Sequence, residues 1–138
     1  MKYEERKRRL TVGTGGYYIA HCIGADYSLG DGISDEVFKK FHLTEILRIL
    51  KKDGTSCPDC VLIGRVFNLV TSAPGQSPTY DSVKQAFQFM KEQCLSEGIT
   101  KVAMPVIHAK TLDWVKVRHI IFDVFGDTDL EILVCTNK

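Results

Sequence analysis

With 138 residues, 44% of them hydrophobic and 25% charged, the chain has enough apolar material for one core and too little length for two, so residues 1–138 read as a single domain. A formal net charge of +1 argues against a sequence-independent nucleic-acid binder, which needs a broad basic excess. No run reaches the ~18 apolar residues that cross a bilayer, which argues against a membrane partner. Five scattered cysteines make no disulfide framework, so reduced thiols in a cytoplasmic or nuclear setting are expected.

In chain order, the basic run ending in Arg6-Lys7-Arg8-Arg9 reads as a solvated tail over residues 1–8. Arg9 to Val12 suits a short edge strand, and Gly13-Thr14-Gly15-Gly16 a turn. Tyr17 to Ile23 is an apolar run with aromatic and β-branched content, the pattern of a buried strand, and His21 inside it is expected to be a hydrogen-bonded core residue. Gly24, Gly30 and Gly32 then punctuate a polar segment before a helical pattern opens at Ile33. Such glycines either turn a corner or let backbone N–H groups approach an anion at the carboxyl end of a strand. Two short helices are expected between Val37 and Leu50, closed by Gly54.

Val61 to Thr71 is strand-like, with Gly64 as a turn or bulge, and Ser72 to Pro78 is loop. Thr79 caps the clearest helix, with Val83, Ala86, Phe87, Met90 and Cys94 on one face and Gly98 past its end. A buried strand follows up to Pro105. The loop Val106 to Asp113 leads into a helix through Trp114, Val117, Ile120, Ile121 and Val124, and Leu130 to Thr136 is a closing strand. Strands alternating with helices in this way give an α/β fold, a mostly parallel or mixed sheet covered on both faces.

No P-loop and no dinucleotide fingerprint is present, and no cofactor is called for. Cys57-Pro58-Asp59-Cys60 has the spacing of half a zinc site without a second half, which favours two free thiols and no metal. His108, just past a strand, stands near Lys110 and Asp113. The three could serve as base or acid, phosphate clamp and orienting carboxylate, or be plain surface residues.

Ala20 to Ile33 followed by Phe38-Lys39-Lys40-Phe41 resembles the first ligand loop of macro domains, in particular the branch of terminal ADP-ribose protein glycohydrolase and ADP-ribose-1''-phosphate phosphatases. Val66 to Thr71, Pro78-Thr79-Tyr80, Met90 to Cys94, Gly98 to Pro105 and Trp114 fall in that branch's order, so the resemblance runs from Tyr17 to the C-terminus. It implies a three-layer α/β/α sandwich with a mixed central sheet that binds ADP-ribose, free or protein-linked, as a monomer. By the same resemblance the ligand lies along Gly24, Asp26, Gly30, Asp31, Gly32 and Ile33 on one side. Thr71, Ser72, Pro105, Ile107, His108 and Ala109 line the other.

Departures from the branch bear on catalysis. The position after Thr71, where the branch carries a nucleophilic lysine, is Ser72. The second loop lacks the branch's glycine-cysteine-glycine and is two residues shorter, so Asp113 does not match its aspartate, and the early aspartate facing adenine is replaced around Gly13-Thr14. Three readings follow: an ADP-ribose-binding module; a hydrolase acting on protein-linked ADP-ribose or ADP-ribose-1''-phosphate through His108, Lys110 and Asp113; or a scaffold for a protein or nucleic-acid partner.

Overall fold

The computed structural model describes residues 1–11, 14–25, 39–40 and 56–136. Within them lie the strands β1 (Lys2–Arg6), β2 (Tyr18–Gly24), β3 (Asp59–Ile63), β4 (Val66–Ser72), β5 (Lys101–Pro105) and β6 (Glu131–Cys135), with the helices α1 (Tyr80–Glu97) and α2 (Trp114–Phe125). The strands form one sheet in the order β1-β6-β5-β2-β4-β3. Every neighbouring pair is parallel except β3 with β4, which form an antiparallel hairpin over Gly64 and Arg65. Gly64 takes φ +59°, a conformation that glycine adopts without a Cβ penalty.

Central strands read as continuous apolar runs because both faces of the sheet are buried. On β4, Phe67 and Leu69 join Ala20, Val102, Met104 and Ile132 in a core shared with the buried faces of α1 and α2. Val66 and Val70 join Ile19, Ile23, Ala103 and Leu133 in a second core on the opposite face. Thr79 caps α1 as expected: its hydroxyl accepts from the Ser82 N–H while the Ser82 hydroxyl accepts from the Thr79 N–H, a reciprocal box with serine in the usual Glu/Gln place. Gly98 ends the helix at φ 70° in the left-handed region. Phe87 and Phe125 meet edge to face at 5.6 Å and join the two helices. Gly126 follows α2 because an added Cβ would run into the carbonyl oxygen of Phe122.

Two sequence expectations are corrected. The basic segment is not a solvated tail: residues 2–6 form β1, the edge strand beside β6. Charges there are matched rather than merely solvated, because Lys2 reaches Glu131 at 3.6 Å, Glu5 accepts from Arg118 at 3.0 Å, and the Tyr3 ring stacks 4.9 Å from Phe122. An edge strand tolerates such a sequence, since only one side of it must bury apolar surface. Of the strand expected at Arg9 to Val12, the described residues Arg9 to Thr11 are not strand: residues 10 and 11 form a turn, with Leu10 buried as its anchor. The two helices expected between Val37 and Leu50 lie outside the described residues, apart from Lys39 and Lys40, which are helical.

Candidate functional site

All five parallel strands end on one side of the molecule, at Arg6, Gly24, Ser72, Pro105 and Cys135. Open α/β sheets bind ligands outside the carboxyl ends of their strands, where connections diverge. Here β2 is that point, because the chain runs from β4 through α1 to β5, placing the two on either side of β2. The register shifts at this spot: Ile23 faces Val70 but Gly24 faces Ser72, so Thr71 is bulged out of the ladder. A bulge bends its strand and re-aims the side chains around it. The Ala25 N–H donates to the Ser72 carbonyl at 2.8 Å, and the Ser82 hydroxyl donates to the Thr71 carbonyl at 2.5 Å. Buried Gly24, buried Thr71 and half-buried Ser72 are thus brought together.

The loop after β5 forms the other flank. Pro105 and Ile107 are buried, Leu112 packs against the helix-side core, and the Leu112 N–H closes a turn onto the Ala109 carbonyl at 3.1 Å. His108 and Lys110 project from that turn into solvent. Asp113 is the N-cap of α2, its carboxylate accepting from the Val115 N–H at 3.1 Å. Among the described residues, no hydrogen bond or ion pair joins His108, Lys110 and Asp113 to one another. They share a loop but not a network, and Asp113 is engaged in starting a helix.

Asp26, Gly30, Asp31, Gly32 and Ile33 lie outside the described residues. Thr14 is buried just before the amino end of β2, its hydroxyl donating to the Leu10 carbonyl at 2.8 Å. His21 is buried, as expected. Its Nε2 lies 2.6 Å from Asn68 Oδ1 across the β2–β4 ladder. Asn68 Nδ2 donates to the carbonyls of Val61 and Val66, which turns the amide oxygen toward the imidazole and makes Nε2 the donor. Cys60 belongs to the helix-side core and Cys57 packs against the opposite one, so the two thiols are not a pair. Among the described residues no cluster of three His, Cys, Asp or Glu could hold a metal ion.

Two clefts lined by described residues lie away from the carboxyl ends of the parallel strands. One, of about 580 Å³, runs over β1 and β6 at Lys2, Tyr17 and Glu131; the other, of about 600 Å³, lies between β3 and the last turns of α1. Neither includes a residue from the loops that follow β2, β4 or β5. Sequence reasoning missed the ties between the two loops: Thr111 Oγ1 donates to the Pro78 carbonyl at 2.7 Å, and the Asp113 N–H donates to the Tyr80 hydroxyl at 2.8 Å. The segment Pro78-Thr79-Tyr80 was the available signal, but only its capping threonine could be read without tertiary contacts.

No known family model matches the chain. ADP-ribose glycohydrolase OARD1 of Homo sapiens is 33% identical to it over 126 residues, 86% of this chain and 80% of the relative. Among solved structures, the macrodomain of Thermus aquaticus DarG superposes with a TM-score of 0.83 at 11% identity, covering 97% of each chain. The macrodomain of Mycobacterium tuberculosis DarG does so with 0.83 at 12%, over 99% of this chain and 98% of that one. The mixed sheet and its helices are therefore those of a macro domain, the three-layer α/β/α sandwich anticipated from the sequence. Within that class, the chain belongs to the terminal ADP-ribose glycohydrolase branch.

Proposed function

We propose that this macro domain binds ADP-ribose, free or attached to a protein, across the carboxyl ends of β2, β4 and β5. The observation that carries the reading is the 33% identity to an ADP-ribose glycohydrolase along 86% of the chain. The geometry supports it, with the bulge at Thr71 and the loop that carries the Ala109-to-Leu112 turn following the ends of β4 and β5, the two neighbours of β2. Backbone N–H groups in loops and at a helix start hold a diphosphate without many lysines, so a net charge of +1 is no obstacle. Gly30 to Ile33, on the first loop by resemblance, would lie along the diphosphate and distal ribose.

A second reading, removal of ADP-ribose from proteins or of phosphate from ADP-ribose-1''-phosphate, is favoured by the relative's activity and opposed by Ser72. A serine cannot supply the amine that the branch's lysine offers the anomeric carbon, and the covalent route through that residue is closed. Binding without that chemistry is the better supported function. Five cysteines in a chain with no disulfide among its described residues fit a reducing, intracellular location.

Calorimetric titration with ADP-ribose, using AMP as the adenosine-only control, decides between these. Saturable heat with ADP-ribose, and no ADP-ribose released from a modified protein on incubation, is the expected result. No heat up to millimolar ligand would overturn the binding reading. Release that disappears in His108→Ala and Lys110→Ala variants would put the hydrolase in its place.

A further inference from the structure

The segment Pro78-Thr79-Tyr80 makes three connections within three residues. The Pro78 carbonyl accepts from the Thr111 hydroxyl at 2.7 Å, Thr79 caps α1, and the Tyr80 hydroxyl accepts from the Asp113 N–H at 2.8 Å. Thr111 and Asp113 close the loop that starts after Pro105, so the loop following β5 is tied to the helix start that follows β4. The tie is stiffened on the β4 side, where Pro74-Gly75 form a turn with Gly75 at φ 72° and the Gln76 N–H bonded to the Ala73 carbonyl at 3.0 Å. On the β5 side the Lys116 ammonium lies 5.6 Å over the Tyr80 ring.

Ordering a loop costs conformational entropy, and a loop held only by its ends defers that cost to the moment of binding. Two side-chain hydrogen bonds at Thr111 and Asp113 meet it in advance. Both bonds are exposed to solvent, so each is worth no more than an ordinary hydrogen bond, and what it stabilises is the loop rather than the core. What they hold is the loop that carries His108 and the turn at Ala109 to Leu112 against the start of α1.

We propose that Tyr80 and Thr111 are positioning residues that lock the 106–113 loop onto the N-terminus of α1 and thereby set the affinity of the cleft for the diphosphate and distal-ribose half of ADP-ribose. The proposal rests on the ADP-ribose-binding reading above. Neither side chain needs to touch the ligand. Both act through the backbone of the loop they hold.

The test uses three variants of the full chain. Tyr80→Phe keeps the ring and its contact with Lys116 but removes the acceptor; Thr111→Val removes the hydroxyl at constant volume; Thr111→Ser restores it. Calorimetry with ADP-ribose, amide hydrogen exchange at Asp113 and the melting temperature are measured for each. Tyr80→Phe and Thr111→Val should each weaken ADP-ribose by about 3- to 10-fold, the scale of one hydrogen bond, with the melting temperature unchanged and Thr111→Ser back at parental affinity. Exchange at Asp113 should quicken in Tyr80→Phe. Parental affinity in both variants would overturn the positioning role while leaving ADP-ribose binding intact. A parent chain that takes up no ADP-ribose would remove the reading and the role together. Weakened binding accompanied by a lower melting temperature and no rescue by serine would mark the two residues as general stabilisers and overturn the proposal.

Discussion

Ser72 shows how much one side chain decides at the end of β4. Its backbone is held by the Ala25 N–H and its strand is bulged one residue earlier, so the position is set by the sheet, while the chemistry available there is that of a hydroxyl. A serine becomes a nucleophile only beside a base, and the described residues place no base in hydrogen-bonding contact with it. The cysteines obey the same rule of surroundings over identity. Burial pushes the Cys94 thiol up to about 12 and raises those of Cys60 and Cys135, and burial raises the half-exposed Cys57 as well. Buried neutral thiols are poor nucleophiles. Iodoacetamide at mildly alkaline pH should therefore alkylate Cys57 in the folded protein and leave Cys60, Cys94 and Cys135 intact, as peptide mass mapping would show; alkylation of Cys94 at the rate of the denatured chain would contradict its packing. His21 was legible as a core residue because a polar ring in an apolar strand must find a partner. That the partner is Asn68, 47 positions away, was not, since only the β2–β4 register brings the two side by side.

At the scale of elements, the two edge strands carry the features least visible in the sequence. On β3, Ile63 and Val66 flank the two-residue turn, so the backbone groups of Asp59, Val61 and Ile63 bond to β4 while those of Cys60 and Leu62 point away from it. The outward groups of Cys60 are already used: its N–H donates to the Asp59 carboxylate and its carbonyl accepts from Gln93 Nε2, both at 2.8 Å. The edge is blunted against pairing with another chain. On β1, the Glu5 carboxylate collects the Tyr3 hydroxyl at 2.7 Å and the Arg118 guanidinium at 3.0 Å, fastening the strand to α2. Burial raises the Glu5 carboxyl, but these two donors, with a weaker pull from the Trp114 indole, outweigh it and hold it below the ordinary carboxylate value. A group depressed in this way adds stability above its unfolded pKa and loses it as the pH falls through the folded one. Thermal melts from neutral to acid pH should show Glu5→Gln less stable at pH 7, with the gap to the parent closing as the medium becomes acidic. A gap that persists unchanged at low pH would assign the loss to packing instead.

For the molecule as a whole, the proposed site links binding to folding, because Gly24, Ser72 and the loop after Pro105 belong to separate strands that meet only in the folded sheet. A ligand that binds the native state alone at a hundred times its Kd adds about 2.7 kcal/mol of stability. For a chain of this size the melting temperature should rise by roughly 8–12 °C, and saturating ADP-ribose that leaves it unmoved would show that the ligand does not engage the folded cleft. Among the described residues from Tyr17 onward, the sequence by itself determined the order of strands and helices, the caps at Thr79 and Gly98, and the family, because hydrophobic periodicity, capping and turn chemistry act over a few residues and are written locally. Only the tertiary structure decided that residues 2–6 are a strand, that β2 lies between β4 and β5 with a bulge at Thr71, that Asp113 starts a helix rather than orienting His108, and that Tyr80 and Thr111 tie two loops together. Each of these depends on a partner more than ten residues away or on a competition between two uses of one side chain, and neither is visible until the chain has folded.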